Sequence, residues 1–316
     1  MCLISFSKAE QYSSRIKLDQ FGGQPLWAYI NITSRCTHRC GWCYGGFNGH
    51  LTDEMRLEDF RVILGKLRDI GILQVTLSGG EPTEHPEFES FIRETRKHDF
   101  LTHVVTHGGN LQKFAHFLSA EKVKQVQVNY QGRELHDTQH GVPGAFTEQQ
   151  KGIRAALAAG LEVTATITVG QYNLAKIPEM FSELNDAGLS RFRIWESTGR
   201  GNPWRRGLEA VEIFEVCRTA AARLGFTFIQ SYDPEYEGDT GIKCPPMSDL
   251  YLHINTAGKL RFCPAVLRDA DVADFLSDPV KDILEKFSSN NRSLLAQNDG
   301  KAWCVARQNT HATYAG

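Results

Sequence analysis

Residues 35–44, Arg-Cys-Thr-His-Arg-Cys-Gly-Trp-Cys-Tyr, place three cysteines close together in the chain. Cys36, Cys40 and Cys43 follow the spacing C-x3-C-x2-C. Three thiolates are one too few for a closed tetrahedral metal site. They are also one fewer than the four that usually hold a [4Fe–4S] cluster. The spacing therefore predicts a metal centre in which one iron stays open for another ligand.

Composition and charge narrow the class of protein around this stretch. Apolar residues make up 41% of the 316 positions and charged residues 23%, which is ordinary for a globular chain with a full core. The net charge of −2 gives no reason to expect a nucleic-acid or anionic-membrane partner. No apolar run is long enough for a bilayer, and the N-terminus lacks the pattern of a signal peptide. We expect a cytoplasmic protein.

The chain has eight cysteines, which raises the alternative of a disulfide framework. Disulfides are typical of small secreted domains that lack a sufficient core. This chain is long and has no signal peptide, and its cysteine triplet is too dense for ordinary bridging. Metal ligation in a reducing compartment is the better interpretation.

Hydrophobic periodicity predicts alternating strands and helices after residue 25. The predicted strands cover 27–33, 73–77, 101–106, 123–130, 161–169 and 191–195. The predicted helices cover 57–70, 86–97, 111–118, 145–159, 174–187 and 208–224. Parallel strands need crossover connections, so this order predicts an α/β fold with a partial (β/α)6 TIM-like barrel. The cysteine loop follows the first strand, at the carboxyl end where such folds place their chemistry.

The composition changes after residue 230, where a turn-rich connector begins. A β-hairpin is predicted at 250–255 and 259–262, followed by a helix at 279–287. A short strand at 226–229 is a further candidate. We therefore predict three parts: a loose N-terminal lead-in at 1–24, the barrel at 25–230, and a small C-terminal extension at 231–316.

The cysteine triplet, with Trp42 before the third thiol and Tyr44 after it, resembles the signature of radical S-adenosylmethionine (radical SAM) enzymes. A second stretch, Ser-Gly-Gly-Glu-Pro at 78–82, follows the second strand, where that family binds the methionine amino group of SAM. The resemblance assigns the cluster to the triplet. It assigns SAM binding to Trp42, Tyr44, Gly79, Gly80, Glu81 and Pro82. Two glycines allow close backbone approach, and a glutamate offers a carboxylate to an ammonium group.

The resemblance extends to the ends of later strands. It implies that Thr106, His107, Asn129, Gln131, Asn173 and Ile194 lie around SAM. Arg193 and Glu196 are candidates for substrate contact, with a solvent-exposed ion pair as the alternative. His136, Asp137 and Gly141 resemble a segment of the subgroup with extra cluster domains, and His136 is more readily structural than a catalytic base.

Cys244, Cys263 and Cys304 resemble the ligands of a C-terminal SPASM or twitch extension, which carries an auxiliary [4Fe–4S] cluster. The chain departs from the twitch pattern because Arg307 stands where a second late cysteine is usual. Two alternatives remain open. Either the second cluster has an open iron, or a residue such as Asp299 or His311 completes it. Buried free thiols are the simpler alternative for all three cysteines.

Cys217 lies within the apolar pattern of the helix predicted at 208–224, so core packing is expected for it. A hydrogen-donating thiol, as in radical peptide epimerases, is the alternative. Cys2 has no assigned role.

The resemblance implies reductive cleavage of SAM to a 5′-deoxyadenosyl radical that abstracts hydrogen from a substrate. The electron would come from an external donor of the flavodoxin or ferredoxin type. The leading hypothesis for the substrate is a ribosomally made peptide that is cross-linked, dehydrogenated or epimerised. The alternatives are a small metabolite such as an aminocyclitol, and a non-catalytic iron–sulfur electron carrier.

Overall fold

The computed structural model describes residues 3–8, 25–43, 45–47, 50–196, 210–231, 251–261 and 271–297. Its strands are β1 (Leu3–Lys8), β2 (Trp27–Thr33), β3 (Gln74–Gly79), β4 (Leu101–Thr106), β5 (Gln125–Asn129), β6 (Val163–Val169), β7 (Arg191–Glu196), β8 (Phe226–Ser231), β9 (Tyr251–Ile254), β10 (Lys259–Arg261) and β11 (Ala273–Asp274). Its helices are α1 (Leu57–Ile70), α2 (Phe88–Lys97), α3 (Leu111–Ala120), α4 (Gly132–His140), α5 (Ala145–Ala158), α6 (Ile177–Asp186), α7 (Ala210–Arg223) and α8 (Val280–Gln297).

The strands form one sheet in the order β11-β10-β9-β2-β3-β4-β5-β6-β7-β1-β8. Strands β2 to β7 are parallel neighbours in chain order, joined by helical crossovers. The outermost strands, β11 and β8, do not pair with each other, so the sheet stays open within the described residues. The predicted partial (β/α)6 barrel is therefore confirmed.

The prediction of a loose N-terminal lead-in is wrong for Leu3–Lys8. This segment forms β1, which pairs antiparallel with both β7 and β8. A six-residue strand has no stability of its own, and the two ladders that hold β1 come from β7 and β8, which begin at Arg191 and Phe226. Local sequence carries little signal for such a strand.

The predicted C-terminal hairpin is present as β9 and β10. Strand β9 lies parallel to β2, so the hairpin continues the barrel sheet on the side opposite β1. The predicted boundary at residue 231 stays a prediction, because residues 232–250 lie outside the described part of the chain.

Alternate residues of the parallel strands serve two different surfaces. One set is apolar and packs in the core, and includes Val75, Leu77, Val126, Val128, Ala165 and Ile167. The alternate set is polar, and includes Thr76, Ser78, Gln125, Gln127, Thr164 and Thr166. Bulky apolar residues usually fill the interior of a closed TIM barrel. Here the inner surface is polar instead, which suits a cavity that receives a hydrophilic ligand.

Helix α4 was not predicted from the sequence. Its residues, Gly-Arg-Glu-Leu-His-Asp-Thr-Gln-His, contain one aliphatic side chain and no apolar period. The helix ends at Gly141, whose φ of 68° is the left-handed conformation typical of a glycine after a helix. Among the described helices, none has both the length and the hydropathy needed to cross a bilayer.

Candidate active site at the cysteine loop

A cavity of about 930 Å3, a volume that includes its solvent-filled mouth, lies at the carboxyl ends of the parallel strands. Cys36, Cys40 and Cys43 all line it. The opposite wall comes from the ends of β3 to β7 and includes Ser78, Thr106, Asn129, Thr168 and Trp195. The sequence prediction that the cysteine loop and the strand ends form one site is in agreement with this geometry.

The chemistry of the three thiols fits a positively charged cluster. Burial raises the pKa of Cys36 and of Cys40 well above the usual range. Glu81 raises the pKa of Cys36 further, and Cys43 and Cys36 raise that of Cys40. Three thiolates this close together repel one another unless iron ions neutralise them. The donor set therefore suits a cluster held by Cys36, Cys40 and Cys43.

The loop is held at its start by the turn that follows β3. The backbone N–H of Gly80 donates to Thr33 O at 2.8 Å, and that of Glu81 donates to Arg35 O at 2.8 Å. Farther along, the Thr37 hydroxyl donates to Glu84 Oε1 at 2.6 Å. These bonds fix the loop backbone before any ligand is present.

Gly79 and Gly80 make this close contact with the loop backbone possible. A Cβ atom on Gly79, whose φ is 136°, would lie 2.1 Å from Thr33 O. A Cβ atom on Gly80 would lie 2.3 Å from Arg35 O. Both residues also line the cavity. The sequence interpretation assigned the two glycines to ligand approach, and the structure adds their packing against the cysteine loop.

The Glu81 carboxylate is fully buried and accepts hydrogen bonds from protein groups. Its Oε1 accepts from Thr83 N at 3.1 Å, the Thr83 hydroxyl at 2.5 Å and the Thr106 hydroxyl at 2.7 Å. Its Oε2 accepts from His107 N at 2.7 Å. Each carboxylate oxygen has about two lone-pair sites, so Oε1 is fully engaged and Oε2 keeps one acceptor site. Contact between Glu81 and the SAM ammonium group stays a prediction, and the bonds to Oε1 give the residue a structural role as well.

The predicted SAM-binding residues divide into two groups. Trp42, Gly79, Gly80, Thr106, His107 and Asn129 line the cavity. Pro82, Gln131, Asn173 and Ile194 are buried elsewhere. Asn173 Nδ2 donates to Gln131 Oε1 at 2.8 Å and to Thr168 O at 2.9 Å, which fixes the turn after β6. Ile194 packs in the apolar core, on the face of β7 opposite Trp195.

Arg193 projects into the polar interior, where its Nη1 donates to Gln127 Oε1 at 2.6 Å. Glu196 ends β7, and its side chain lies outside the described part of the structure. Tyr44, Cys244, Cys263 and Cys304 also lie outside the described residues. Their predicted roles stay predictions.

Within the segment at 136–141, His136 and Asp137 serve structure. Asp137 accepts the backbone N–H groups of Gly144 at 2.6 Å and Phe146 at 2.7 Å, which satisfies the N-terminus of α5. Both bonds lower the pKa of Asp137, and the bond from Phe146 has the larger effect. His136 is fully buried on α4. Cys217 is fully buried in the core on α7, as the apolar pattern predicts.

Sequence reasoning missed several residues of the cavity wall: Tyr29, His38, Gln127, His140, Thr166, Thr168 and Trp195. Thr166 Oγ1 and Trp195 Nε1 are buried and have no hydrogen-bond partner among the described residues. Polar side chains at alternate positions of β5 and β6 were the available signal. No local pattern connects His140 with the cysteine loop, because α4 brings it there from about a hundred residues away.

Comparisons with known proteins agree with this site. The family model described as the Radical SAM superfamily matches residues 30–184, which include the cysteine triplet and the Gly-Gly-Glu-Pro stretch. The PqqA peptide cyclase of Streptomyces rochei is 28% identical over 205 residues, which cover 64% of this chain and 56% of that protein. The GTP 3′,8-cyclase of Sinorhizobium medicae is 29% identical over 185 residues, covering 54% of this chain and 52% of that protein. The chain thus spans about half the length of these relatives.

Among solved structures, Streptococcus suis SuiB bound to its precursor peptide SuiA matches with a TM-score of 0.69. The match covers 88% of this chain and 69% of SuiB, at 17% identity, which shows a shared fold. The sequence match, the open parallel sheet and the convergence of three thiols on one cavity agree with one another. Residues 30–184, which carry the cysteine triplet and most of the cavity wall, belong to the radical SAM superfamily.

Proposed function

We propose that this protein binds a [4Fe–4S] cluster through Cys36, Cys40 and Cys43, cleaves SAM reductively, and modifies a ribosomally made peptide. The observation that carries the proposal is the convergence of these three thiols on a cavity walled by the ends of β3 to β7. When bound, the cluster and SAM supply a radical that abstracts hydrogen from the substrate. The protein holds, orients and shields the reacting groups.

The polar wall opposite the thiols suits this role. Thr166 and Trp195 each present a buried hydrogen-bonding atom that has no partner in the described part of the chain. Leaving such an atom unsatisfied costs about 1–3 kcal/mol, and a polar ligand in the cavity would recover that cost. Thr166 pairs with Arg193 and Thr168 with Trp195 across β6 and β7, so Thr166 and Trp195 are diagonal neighbours on one face of the sheet.

A peptide substrate is supported by the similarity to PqqA peptide cyclase. The similarity to GTP 3′,8-cyclase supports a small polar metabolite as the second candidate. Candidate peptides from short reading frames beside the gene would be incubated anaerobically with the protein, SAM and reductant. A change in peptide mass that depends on Cys43 supports the peptide. Turnover of a small metabolite with no change in any peptide would contradict it.

Formation of 5′-deoxyadenosine is the direct test of SAM cleavage. We expect the reconstituted protein to produce it from SAM and dithionite, and Cys43→Ala to lose at least about a hundredfold of that activity. Cys217→Ala is the matched control, because it removes a core thiol and leaves the three loop thiols in place. A protein with an intact cluster that forms no 5′-deoxyadenosine would exclude the enzyme and favour an electron carrier.

We further propose a second [4Fe–4S] cluster on Cys244, Cys263 and Cys304, and an external donor of the flavodoxin or ferredoxin type. Replacing Cys36, Cys40 and Cys43 together by alanine should leave iron and sulfide bound at the C-terminal site. Iron and sulfide at background level in this triple variant would remove the second cluster. Reduction by purified flavodoxin or ferredoxin, followed by electron paramagnetic resonance (EPR), tests the donor.

A further inference from the structure

The C-terminal end of α4 docks directly on the cysteine loop. The backbone N–H of Arg39 donates to His140 O at 2.8 Å, and that of Gly41 donates to Gln139 O at 3.3 Å. These two bonds use carbonyl groups that a helix leaves free in its last turn. The cysteine loop therefore has a second anchor, independent of the turn after β3.

Two histidine side chains continue this contact. His38 lies inside the loop, and its Nδ1 is 2.9 Å from Nδ1 of His140. The same His140 Nδ1 is 3.6 Å from Cys40 Sγ. His140 is fully buried, and His38 is almost fully buried. One imidazole nitrogen thus faces both the loop histidine and the middle thiol of the triplet.

We infer that His140, oriented by His38, is a positioning residue that donates a hydrogen bond to the Cys40 sulfur and raises the reduction potential of the loop cluster. This inference rests on the proposed function, because it requires a cluster at Cys40. Hydrogen bonds to the sulfur ligands are one of the factors that set the potential of an iron–sulfur cluster. A donor favours the reduced form, which carries more negative charge.

The placement of the proton follows from the ligand chemistry. A cysteine bound to iron is a thiolate, so Cys40 can only accept. In the contact between the two histidines, one Nδ1 donates and the other accepts. If His38 donated, the lone pair of His140 would face the thiolate, which is repulsive. With the proton on His140 Nδ1, the N–H lies between His38 Nδ1 and Cys40 Sγ as a three-centre bond.

The orientation of His140 is fixed by rings on its other sides. The His136 ring stacks on it with centroids 4.0 Å apart, and the Trp42 ring packs nearly perpendicular to it with centroids 5.2 Å apart. On the far side of the pair, His107 stacks on His38 at 3.8 Å. This packing keeps the Nδ1 atom of His140 directed at the loop.

The same three side chains could instead hold a single metal ion, since their ligand atoms lie within 4.8 Å of one another. The distance between the two Nδ1 atoms argues against this alternative. Two nitrogens bound tetrahedrally to one zinc ion would lie about 3.3 Å apart, whereas 2.9 Å is a normal hydrogen-bond distance.

The test is the midpoint potential of the loop cluster, measured by redox titration followed by EPR without SAM. The signal lost in the Cys36, Cys40 and Cys43 triple alanine variant identifies that cluster. We expect His140→Leu to shift the midpoint to lower potential. His140→Asn places an amide N–H near the position of Nδ1 and should restore most of the wild-type value. His136→Phe removes an imidazole from the same stack with no contact to Cys40, and should leave the midpoint near wild type.

An unchanged midpoint in His140→Leu would overturn the inference. A shift that His140→Asn does not restore would overturn it too, because it would show a packing effect. If His140→Leu fails to assemble the cluster, His140→Asn becomes the deciding variant. A wild-type midpoint potential in it supports the hydrogen bond to Cys40, and any other result excludes that bond. A wild-type protein with no loop cluster would reject the proposed function itself, whereas a normal cluster with an insensitive midpoint rejects only the role of His140.

Discussion

At the residue scale, the stretch after β3 acts mainly on the neighbouring protein backbone. Gly79 and Gly80 allow the cysteine loop to lie close to the end of β3. Glu81 accepts hydrogen bonds from Thr83, Thr106 and His107. The Gly-Gly-Glu-Pro stretch, which the sequence indicates as a ligand-binding motif, thus also joins β3, β4 and the cysteine loop. Substitutions there should affect folding as well as SAM binding.

Gly80→Ala should destabilise the protein by about 3 kcal/mol, because its Cβ would overlap the Arg35 carbonyl oxygen. Chemical denaturation measures the free energy of unfolding. The matched control is Gly65→Ala, which lies within α1 with no atom within 4 Å of the added Cβ. It should stabilise the protein by about 0.5–1 kcal/mol. Equal stability of Gly80→Ala and wild type would show that the loop relaxes freely.

Glu81→Gln should lower the free energy of unfolding by about 2 kcal/mol. The NH2 group of the glutamine would face an N–H group, of Thr83 or of His107, that donates to the carboxylate in the wild-type protein. Thr106→Val removes one of these bonds and should cost about 1 kcal/mol. Denaturation reports the loss of stability, and isothermal titration reports SAM affinity. A Glu81→Gln protein of normal stability with greatly weakened SAM binding would restore the predicted contact with the ammonium group.

At the element scale, secondary structure far away in sequence holds the site together. The turn after β3 and the end of α4 anchor the cysteine loop on two sides. Strand β1 anchors the far side of the barrel, because among the described strands it is the one that joins β8 to the sheet. Strand β7, which carries Arg193 and Trp195, therefore has β1 as its only described neighbour besides β6.

Ser7→Pro tests the role of β1. Ser7 lies opposite Arg191 in β7 and Thr227 in β8, and proline in the middle of a sheet removes a ladder hydrogen bond. We expect a loss of roughly 3 kcal/mol in the free energy of unfolding and faster hydrogen exchange in β7 and β8. Ser7→Thr is the control, because a β-branched residue suits a strand. Unchanged exchange in β7 would show that β1 contributes little to the barrel.

At the scale of the whole molecule, buried histidines determine how stability depends on pH. Burial is the largest cause of a lowered pKa at six of them: His38, His85, His103, His136, His140 and His253. Burial also acts to lower the pKa of His107, but Glu81 and Glu84 outweigh it and the pKa is raised. A histidine that is neutral when folded and protonated when unfolded opposes folding at low pH. We therefore expect the protein to lose stability as the pH falls below about 6.5.

His253→Phe should reduce this dependence. Burial lowers the pKa of His253 to about 3, with a smaller effect from Arg261, and neither ring nitrogen has a hydrogen-bond partner within the described ranges. The unfolded histidine takes up a proton below its ordinary pKa near 6.5, so at pH 5 His253 costs about 2 kcal/mol relative to neutral pH. Denaturation at pH 5 and pH 7.5 should show that difference disappear in the variant. An identical pH dependence in the two proteins would contradict the neutral, buried state of His253.

The sequence by itself determined the features that are local or periodic. The cysteine spacing indicated an open cluster, and apolar periods predicted α1, β4 and most of the remaining barrel within a few residues. Each of these follows from side chains that are neighbours along a loop, a helix face or a strand. The Gly-Gly-Glu-Pro stretch was found in the same way, and the family model that matches residues 30–184 includes it.

Only the tertiary structure decided which distant groups meet. Strand β1 and helix α4 have weak local signals, because pairing and docking stabilise them rather than their own propensity. The meeting of His38, Cys40 and His140 depends on α4, and two of the hydrogen bonds to Glu81 depend on Thr106 and His107 at the end of β4. Contacts of this kind are set by how strands and helices pack, so no spacing along the chain predicts them.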